Sequence, residues 1–324
     1  MPKEALEKVR LLAGSVDKAM EAVLSEDRDL LGEIALYGLY GGGKRLRPAV
    51  FALSWELLGG EPGEEAMRGA LVFEVVHMAS LIHDDIVDGA DTRRGKRAAH
   101  LQFGIPEAVL AGDYLVSKAA MLCLKFGSLK FISLLTEVLR ELSYGELYQL
   151  KARWDAGLGR EGYLAIIRRK TAALLAAAAE SPALLLEAAP GEREALRLFG
   201  ERYGMSFQIA DDVLDYAGDP GALGKPVLKD LDEGRITLPL ILARDSLPPA
   251  RAARLAALAS LPERDSGEKA EVLELVREGG GLEKARAEAA AWAAESVKAL
   301  DLFPGGPAAD ALRELALQNA GRDR

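Results

Sequence analysis

The sequence predicts an all-α protein, on three observations. Ala, Leu, Glu and Arg recur at three- and four-residue spacings, as in EEAMRGALVFEVVHMASLIHDD and EKARAEAAAWAAESVKAL, the period of a helix with one apolar stripe. Alternating runs of β-branched residues, the mark of strands, are scarce. Breakers fall in short clusters: GGGKRLRP (41–48), GGEPGEE (59–65), APGERE (189–194), GDPGALGKP (218–226), LPPAR (247–251) and EGGGLE (278–283). Each has the length of a turn between helices and is too short for a linker between domains. With no repeat at solenoid period and no low-complexity segment, the expectation is one all-helical domain over residues 1–324.

The elements follow in order. The start, MPKEALEKVR, carries acidic residues and lacks the apolar centre of a signal peptide. A helical pattern runs from residue 64 to about 88 and ends in HDDIVD. The most apolar window, TAALLAAAAESPALLLEAA (171–189), follows RRK and is broken by Glu180 and Pro182. It therefore falls short of the roughly 18 uncharged residues a membrane span requires and reads as a buried helix. FQIADDVLDY (207–216) continues an apolar segment, and EKARAEAAAWAAESVKAL (283–300) is a further helix.

Composition narrows the function. With 49% hydrophobic and 28% charged residues the chain is globular, and Asp plus Glu exceed Lys plus Arg by 50 to 41, so no basic field exists to hold nucleic acid. The single Cys123 forms no internal disulfide, and the protein is expected in the cytoplasm without a transmembrane segment.

Residues 83–97, HDDIVDGADTRRGKR, put three aspartates on one side of a turn and four basic residues on the other. Asp84 and Asp88 stand at i and i+4 and share a helix face, where two like charges cost a few tenths of a kcal/mol unless neutralised. One such motif is ordinarily a wet helix end. A second copy, Asp211, Asp212 and Asp215, repeats the spacing after an apolar segment, where carboxylates would not be placed for solubility. The spacing suits Mg²⁺, which takes one or two carboxylates and completes its shell with water and phosphate oxygens, so that facing pairs hold two or three ions around a phosphorylated ligand. The loop spacing of an EF-hand is missing, and His77, His83 and His100 have neither cysteine partners nor HExxH spacing for zinc. Basic clusters accompany the acids: Lys44, Arg45 and Arg47; Arg93 and Arg94; Lys170 beside Thr171; Lys225, Lys229 and Arg235. Together they propose two anion sites, one wrapped in metal and one held directly by basic side chains.

The ordered series GGGKRLRP, HMASLIHDDIVDGADTRRGK, GELYQL, IIRRKTA, YGMSFQIADDVLDY and LGKPVLKDLDEGRITLPL, over about residues 40 to 245, resembles the trans-isoprenyl diphosphate synthases of the polyprenyl synthetase family. The resemblance implies the isoprenoid synthase type I fold, a single large helical bundle around a deep central cavity, usually a homodimer, with the aspartate motifs facing across its mouth. It implies Asp84, Asp88 and Asp211 as direct Mg²⁺ ligands, with Mn²⁺ as a substitute, and Asp85, Asp212 and Asp215 supporting the ions or their waters. Lys44, Arg47, His77 and Arg94, assisted by Arg45, fall where the family binds isopentenyl diphosphate. Arg93, Lys170, Lys225 and Arg235 fall where it grips the allylic diphosphate (geranyl, farnesyl or geranylgeranyl), and Thr171 and Gln208 lie near the reacting carbons.

In that family the residues before the first aspartate set product length. Ser80 and Ala79 are small and leave the cavity open; in steps of three follow Val76 and then Phe73, about 16 Å below Asp84 at 1.5 Å per residue. A floor at Phe73 implies a long-chain polyprenyl diphosphate, longer than C20 and about C25 to C40. Three positions depart from the pattern: Leu228 stands where glycine is common, Arg235 where lysine is, and Ser206 where alanine is. The alternatives are a farnesyl or geranylgeranyl diphosphate synthase, a class I terpene cyclase, a non-catalytic partner in a heterodimer, and a Ca²⁺ or polyanion scaffold.

Overall fold

The computed structural model describes residues 2–27, 29–39, 43–217 and 228–320. They form an almost wholly helical chain that groups into two compact units. The first comprises Met1–Glu137, Ala177–Arg197 and Leu302–Glu314; the second comprises Val138–Ala176, Leu198–Asp301 and Leu315–Arg324.

In the first unit α1 (Pro2–Leu24), α2 (Leu30–Leu39), α3 (Leu46–Leu57), α5 (Ala99–Phe103) and α6 (Ile105–Leu124) gather around α4 (Glu64–Val87). Buried residues occupy every side of α4, from Ala66, Ala70 and Leu71 to Val75, Met78, Ala79 and Ile82. A helix buried all round has no single apolar stripe, which makes α4 the hub of the unit. Phe73 is fully buried at mid-helix, its ring 5.9 Å from that of Phe51 and 6.1 Å from that of Phe131. Beyond Val87 the chain keeps one more helical turn, the Asp88 amide donating to the Asp84 carbonyl at 2.8 Å.

The one departure from helix among the described residues is a hairpin of β1 (Thr92–Arg93) and β2 (Lys96–Arg97), with Thr92 opposite Arg97 and Arg93 opposite Lys96. Its two central residues, Arg94 and Gly95, both have positive φ, 52° and 80°. That is a type I′ turn, the form whose twist matches two antiparallel strands.

The second unit contains α8 (Arg160–Ile167), a π-helical turn (Arg168–Ala172), α11 (Lys229–Asp232), α12 (Leu238–Arg244), α13 (Pro249–Ala259), α14 (Ser266–Glu278) and α15 (Gly281–Ala299). Its core collects Tyr163, Ile167, Met205, Ile209, Val213, Leu238, Ile241 and Leu275. Sequence punctuation recurs as caps: Pro249 opens α13, and Asp265 and Glu268 form a capping box on α14. The remaining helices are α7 (Leu129–Lys151), α9 (Ala173–Leu185), α10 (Pro190–Ala217) and α16 (Pro307–Ala320). Within α9, Glu180 is 4% exposed and ion-paired to Arg193 at 2.6 Å, so the apolar window is the buried helix expected. No described helix is long and apolar enough to cross a membrane. The turn at 218–226 and residues 41–42 of the first cluster lie outside the described residues; the described breaker residues separate helices as expected.

Candidate active site

The first aspartate motif sits at the C-terminal end of α4, where Asp84 and Asp88 share a face and are partly exposed. Asp85 turns inward: it is 3% exposed and accepts from Arg93 Nε at 2.8 Å and from Arg93 Nη2. Burial alone would weaken the Arg93 guanidinium as a cation, but its bond to Asp85 and the charges of Asp84 and Asp88 outweigh it and raise its pKa. The buried middle aspartate therefore ties the hairpin to α4.

Beside it opens a cleft of about 560 Å³, lined by the cations Arg45, Arg93, Arg94, Lys96 and Arg97 against the carboxylates Glu74 and Asp85, with His77 and Tyr37 in its wall. His77 is held neutral. Burial, then the charges of Arg47, Arg94, Arg45 and Arg93, push its pKa well below the usual imidazole value. Lys96 and Arg97, in the stretch singled out from sequence but given no role there, are lining residues; Lys96 lies 5.5 Å from the Tyr37 ring centre, and Tyr37 donates to the Arg97 carbonyl at 2.8 Å. Lys44, exposed, and Arg47, half-buried, lie on the adjoining turn and first turn of α3, outside the lining.

Arg45, expected to assist at the isopentenyl diphosphate site, lines this cleft while its guanidinium is held by protein acceptors. It is 4% exposed, with left-handed backbone (φ 47°), and all three nitrogens of its fork meet protein acceptors. Nε donates to Asp17 at 2.6 Å, Nη1 to Glu74 at 2.6 Å and Nη2 to the Leu39 carbonyl at 3.3 Å. It is a strut joining α1, α2 and α4 in the wall of the cationic cleft, through Glu74, which stands one helical turn before His77. Removing one partner of such a buried pair leaves an uncompensated charge and costs about 3–5 kcal/mol.

The second motif lies on α10 and repeats the division of labour. Asp211 is exposed. Asp212 is 3% exposed, accepting from Tyr163 Oη at 2.6 Å and Gln208 Nε2 at 2.8 Å, while Gln208 Oε1 accepts from Thr171 Oγ1 at 2.7 Å. Asp215 caps α11, taking the Lys229 and Asp230 amides at 3.0 and 3.1 Å. Burial, with the charge of Asp230 adding to it, lifts its pKa to about 7.

A cleft of about 800 Å³ is lined here by Asp211, Asp212, Asp230, Lys170, Arg235, Thr171 and Gln208 among others. Its cations are ion-paired: Lys170 to Glu146, and Arg235 to Asp230 at 2.7 Å and to Glu233. The Arg235 fork spans two acids, which a lysine ammonium does not do with the same geometry. Lys225 lies outside the described residues. Sequence reasoning missed Asp230, although KDLDEGR was in view, and Tyr163, which nothing in EGYLAII distinguishes from an ordinary core tyrosine.

The π-helical turn bearing Lys170 and Thr171 is gripped by two glycines. A Cβ on Gly145 would lie 2.8 Å from the Lys170 nitrogen, and one on Gly204 would lie 2.5 Å from Ala172 Cα. Such turns are rare and concentrate at functional sites.

Leu228 explains why glycine is common at its position. It is left-handed (φ 62°, ψ 28°) and fully buried, its amide donating to the Asp215 carbonyl at 3.0 Å. Leu228→Gly relieves about 1 kcal/mol of backbone strain but deletes a core side chain worth about 2–5 kcal/mol. The expected result is a net loss, read as a thermal midpoint several degrees below wild type; an unchanged or higher midpoint would show that strain dominates.

The chain-length positions follow α4 downward. Ser80 is half-buried and donates to the His77 carbonyl at 2.9 Å, Ala79 and Val76 are each 1% exposed, and Phe73 is the central ring of the aromatic cluster. As to metal, no three His, Cys, Asp or Glu side chains converge among the described residues. Mg²⁺ bound together with phosphate oxygens needs only one or two carboxylates, so the half-buried Asp84 and Asp88 and the exposed Asp211 fit its donor chemistry.

The polyprenyl synthetase family model matches residues 28–276, most of the chain. The chain belongs to the polyprenyl synthetase family. It is 35% identical to the octaprenyl diphosphate synthase of Escherichia coli K12, covering 98% of this chain and 99% of that one. To the heptaprenyl diphosphate synthase component 2 of Geobacillus stearothermophilus it is likewise 35% identical, over 95% of each. A polyprenyl synthase of Caulobacter crescentus CB15, solved with calcium and isoprenyl diphosphate, superposes with a TM-score of 0.91 at 34% identity, over 100% of this chain and 98% of the other. The all-α class and the isoprenoid synthase fold expected from sequence are thereby established, and this polyprenyl synthetase is a prenyltransferase.

Proposed function

We propose that this polyprenyl synthetase condenses isopentenyl diphosphate head-to-tail with an allylic diphosphate, building a trans-polyprenyl diphosphate longer than C20 and releasing diphosphate. One observation carries the reading: the first cleft is dominated by cations and the second has carboxylates in the majority. A diphosphate that must stay attached is best held by direct Arg and Lys contacts; one that must leave is best held by metal. Isopentenyl diphosphate is the first kind and the allylic ester the second.

When bound by Asp84 and Asp88, or by Asp211, Mg²⁺ would neutralise the departing anion as a Lewis acid. The chain's own residues do the rest. Lys170, Arg235 and Arg93 rest on carboxylates until a diphosphate draws them, so their charge is prepositioned. Arg94 and neutral His77 receive the second diphosphate, joined by Lys44 and Arg47. The allylic C–O bond ionises, the isopentenyl double bond attacks the cationic carbon, and C2 gives its proton to the released diphosphate beside Thr171 and Gln208. Interactions that strengthen as the C–O bond breaks raise kcat.

Purified chain with Mg²⁺, farnesyl diphosphate and radiolabelled isopentenyl diphosphate should yield acid-labile products longer than C20. A cyclised hydrocarbon would indicate a terpene cyclase, and no turnover without a second protein a partner subunit. The octaprenyl and heptaprenyl relatives support a long product. We assign Phe73 as the floor beneath Val76, Ala79 and Ser80. Ala79→Phe should shorten the chains by several isoprene units and Phe73→Ala should lengthen them, by product chromatography. Because Phe73 lies between two phenyl rings, its truncation also costs about 3–5 kcal/mol of stability, which leaves Ala79→Phe the cleaner arm; an unchanged distribution in both sinks the ruler. Exposed Ile105, Val109, Leu110, Met121 and Leu124 on α6 support burial against a second copy in a homodimer.

A further inference from the structure

Four buried or half-buried groups in the second unit form one hydrogen-bonded chain, Thr171 to Gln208 to Asp212 to Tyr163. The Gln208 amide has an oxygen end and a nitrogen end that a half-turn exchanges. Thr171 does not choose between them, because a hydroxyl both donates and accepts. Asp212 fixes the orientation seen: the Gln208 Nε2 end donates to its Oδ1 at 2.8 Å, which leaves Oε1 toward Thr171 and the cleft. At 3% exposure Asp212 has no water shell to fix its rotation, and its other oxygen, Oδ2, takes a 2.6 Å bond from Tyr163, itself 3% exposed.

We propose that Tyr163 is a positioning residue for prenyl transfer: by anchoring Asp212 it sets the direction of the Gln208 amide, so that the oxygen end faces the carbons on which positive charge develops. The inference rests on the synthase reading above. An amide oxygen aimed at a developing cation lowers the barrier, and the same amide reversed raises it. Tyr163 borders the cleft, but its hydroxyl is engaged by Asp212, so in this proposal it acts through Asp212 and Gln208. Burial, followed by the charge of Asp212, keeps its phenol protonated and a donor.

The test is a double-mutant cycle. Tyr163→Phe keeps the ring and removes the hydroxyl; it should lower kcat about 10- to 30-fold while KM for both diphosphates stays within about threefold. In a Gln208→Leu background, where there is no amide to orient, the same substitution should lower kcat by no more than about twofold. A purely structural tyrosine would give equal losses in both backgrounds, and that outcome, or wild-type kcat in Tyr163→Phe, overturns the proposal. Should Tyr163→Phe fail to fold by circular dichroism, a series of fluorotyrosines at 163 keeps shape and varies donor strength: kcat that follows ring acidity only when Gln208 is present supports the role, and kcat indifferent to it overturns it. Wild-type protein that does not extend farnesyl diphosphate would sink the synthase reading instead, so the two failures are distinguishable.

Discussion

Asp84→Asn and Asp211→Asn are each expected to lower kcat by at least about 10³-fold while the fold survives. Asparagine matches aspartate in shape, so packing is kept and only the anionic oxygen is lost. Asp84 is half-buried and Asp211 exposed, and neither is the buried member of its motif. A factor of 10³ corresponds to about 4 kcal/mol of transition-state stabilisation, the scale on which a metal neutralises a departing diphosphate. Calorimetry supplies a second readout: each variant should bind a bisphosphonate with Mg²⁺ more weakly and without Mg²⁺ much as wild type does. Asp85→Asn is a contrasting case, since that carboxylate serves Arg93; its loss should be felt first in the hairpin and in stability. Turnover left intact in both Asp84→Asn and Asp211→Asn, or a bisphosphonate complex with these acids turned to bulk water, would remove the metal-assisted mechanism.

Gly204→Ala should lower kcat about 100-fold and cost about 1–3 kcal/mol of stability, through one methyl group. The new Cβ would lie 2.5 Å from Ala172 Cα and 2.9 Å from Ala172 Cβ, contacts that no rotamer change relieves. The π-helical turn must then move from α10, and Thr171 with it, which breaks the 2.7 Å bond to Gln208. A displacement of about 1 Å at reacting groups is enough for a 10²-fold loss. Gly191→Ala, on the same helix, is the control: its Cβ would meet only Leu302 Cδ2 at 3.8 Å, an ordinary contact. A Gly204→Ala protein with a lower thermal midpoint but wild-type kcat would mean that the grip matters for folding alone.

Much of the candidate site could be read in the sequence because its signals are local. The i, i+4 spacing of Asp84 with Asp88 and of Asp211 with Asp215 needs only helical geometry, and both segments are helical. The three-glycine turn before Lys44 and the turn between the first aspartates and the basic residues announced breaks, but spacing did not show that Arg94 would take positive φ in a type I′ hairpin. Nor did it separate the three aspartates of each motif, which look equivalent on the page. Asp85 and Asp212 prove to be buried and satisfied by Arg93, Tyr163 and Gln208, while Asp84 and Asp88 are half-buried and Asp211 is exposed.

The sequence by itself determined the helical class, the positions of the two acidic motifs and the succession of basic clusters that carries the family resemblance, since each is written within one or two turns of chain. Tertiary structure alone decided what each charge is for. Arg45 turned inward because Glu74, 29 residues away, offered a buried carboxylate and Asp17 a half-exposed one, and Tyr163 entered the site because α8 brought its hydroxyl to Asp212 across 49 residues. Periodicity reports which face of a helix is apolar; it carries no information about which distant side chain will meet a buried charge, and burial makes that meeting obligatory.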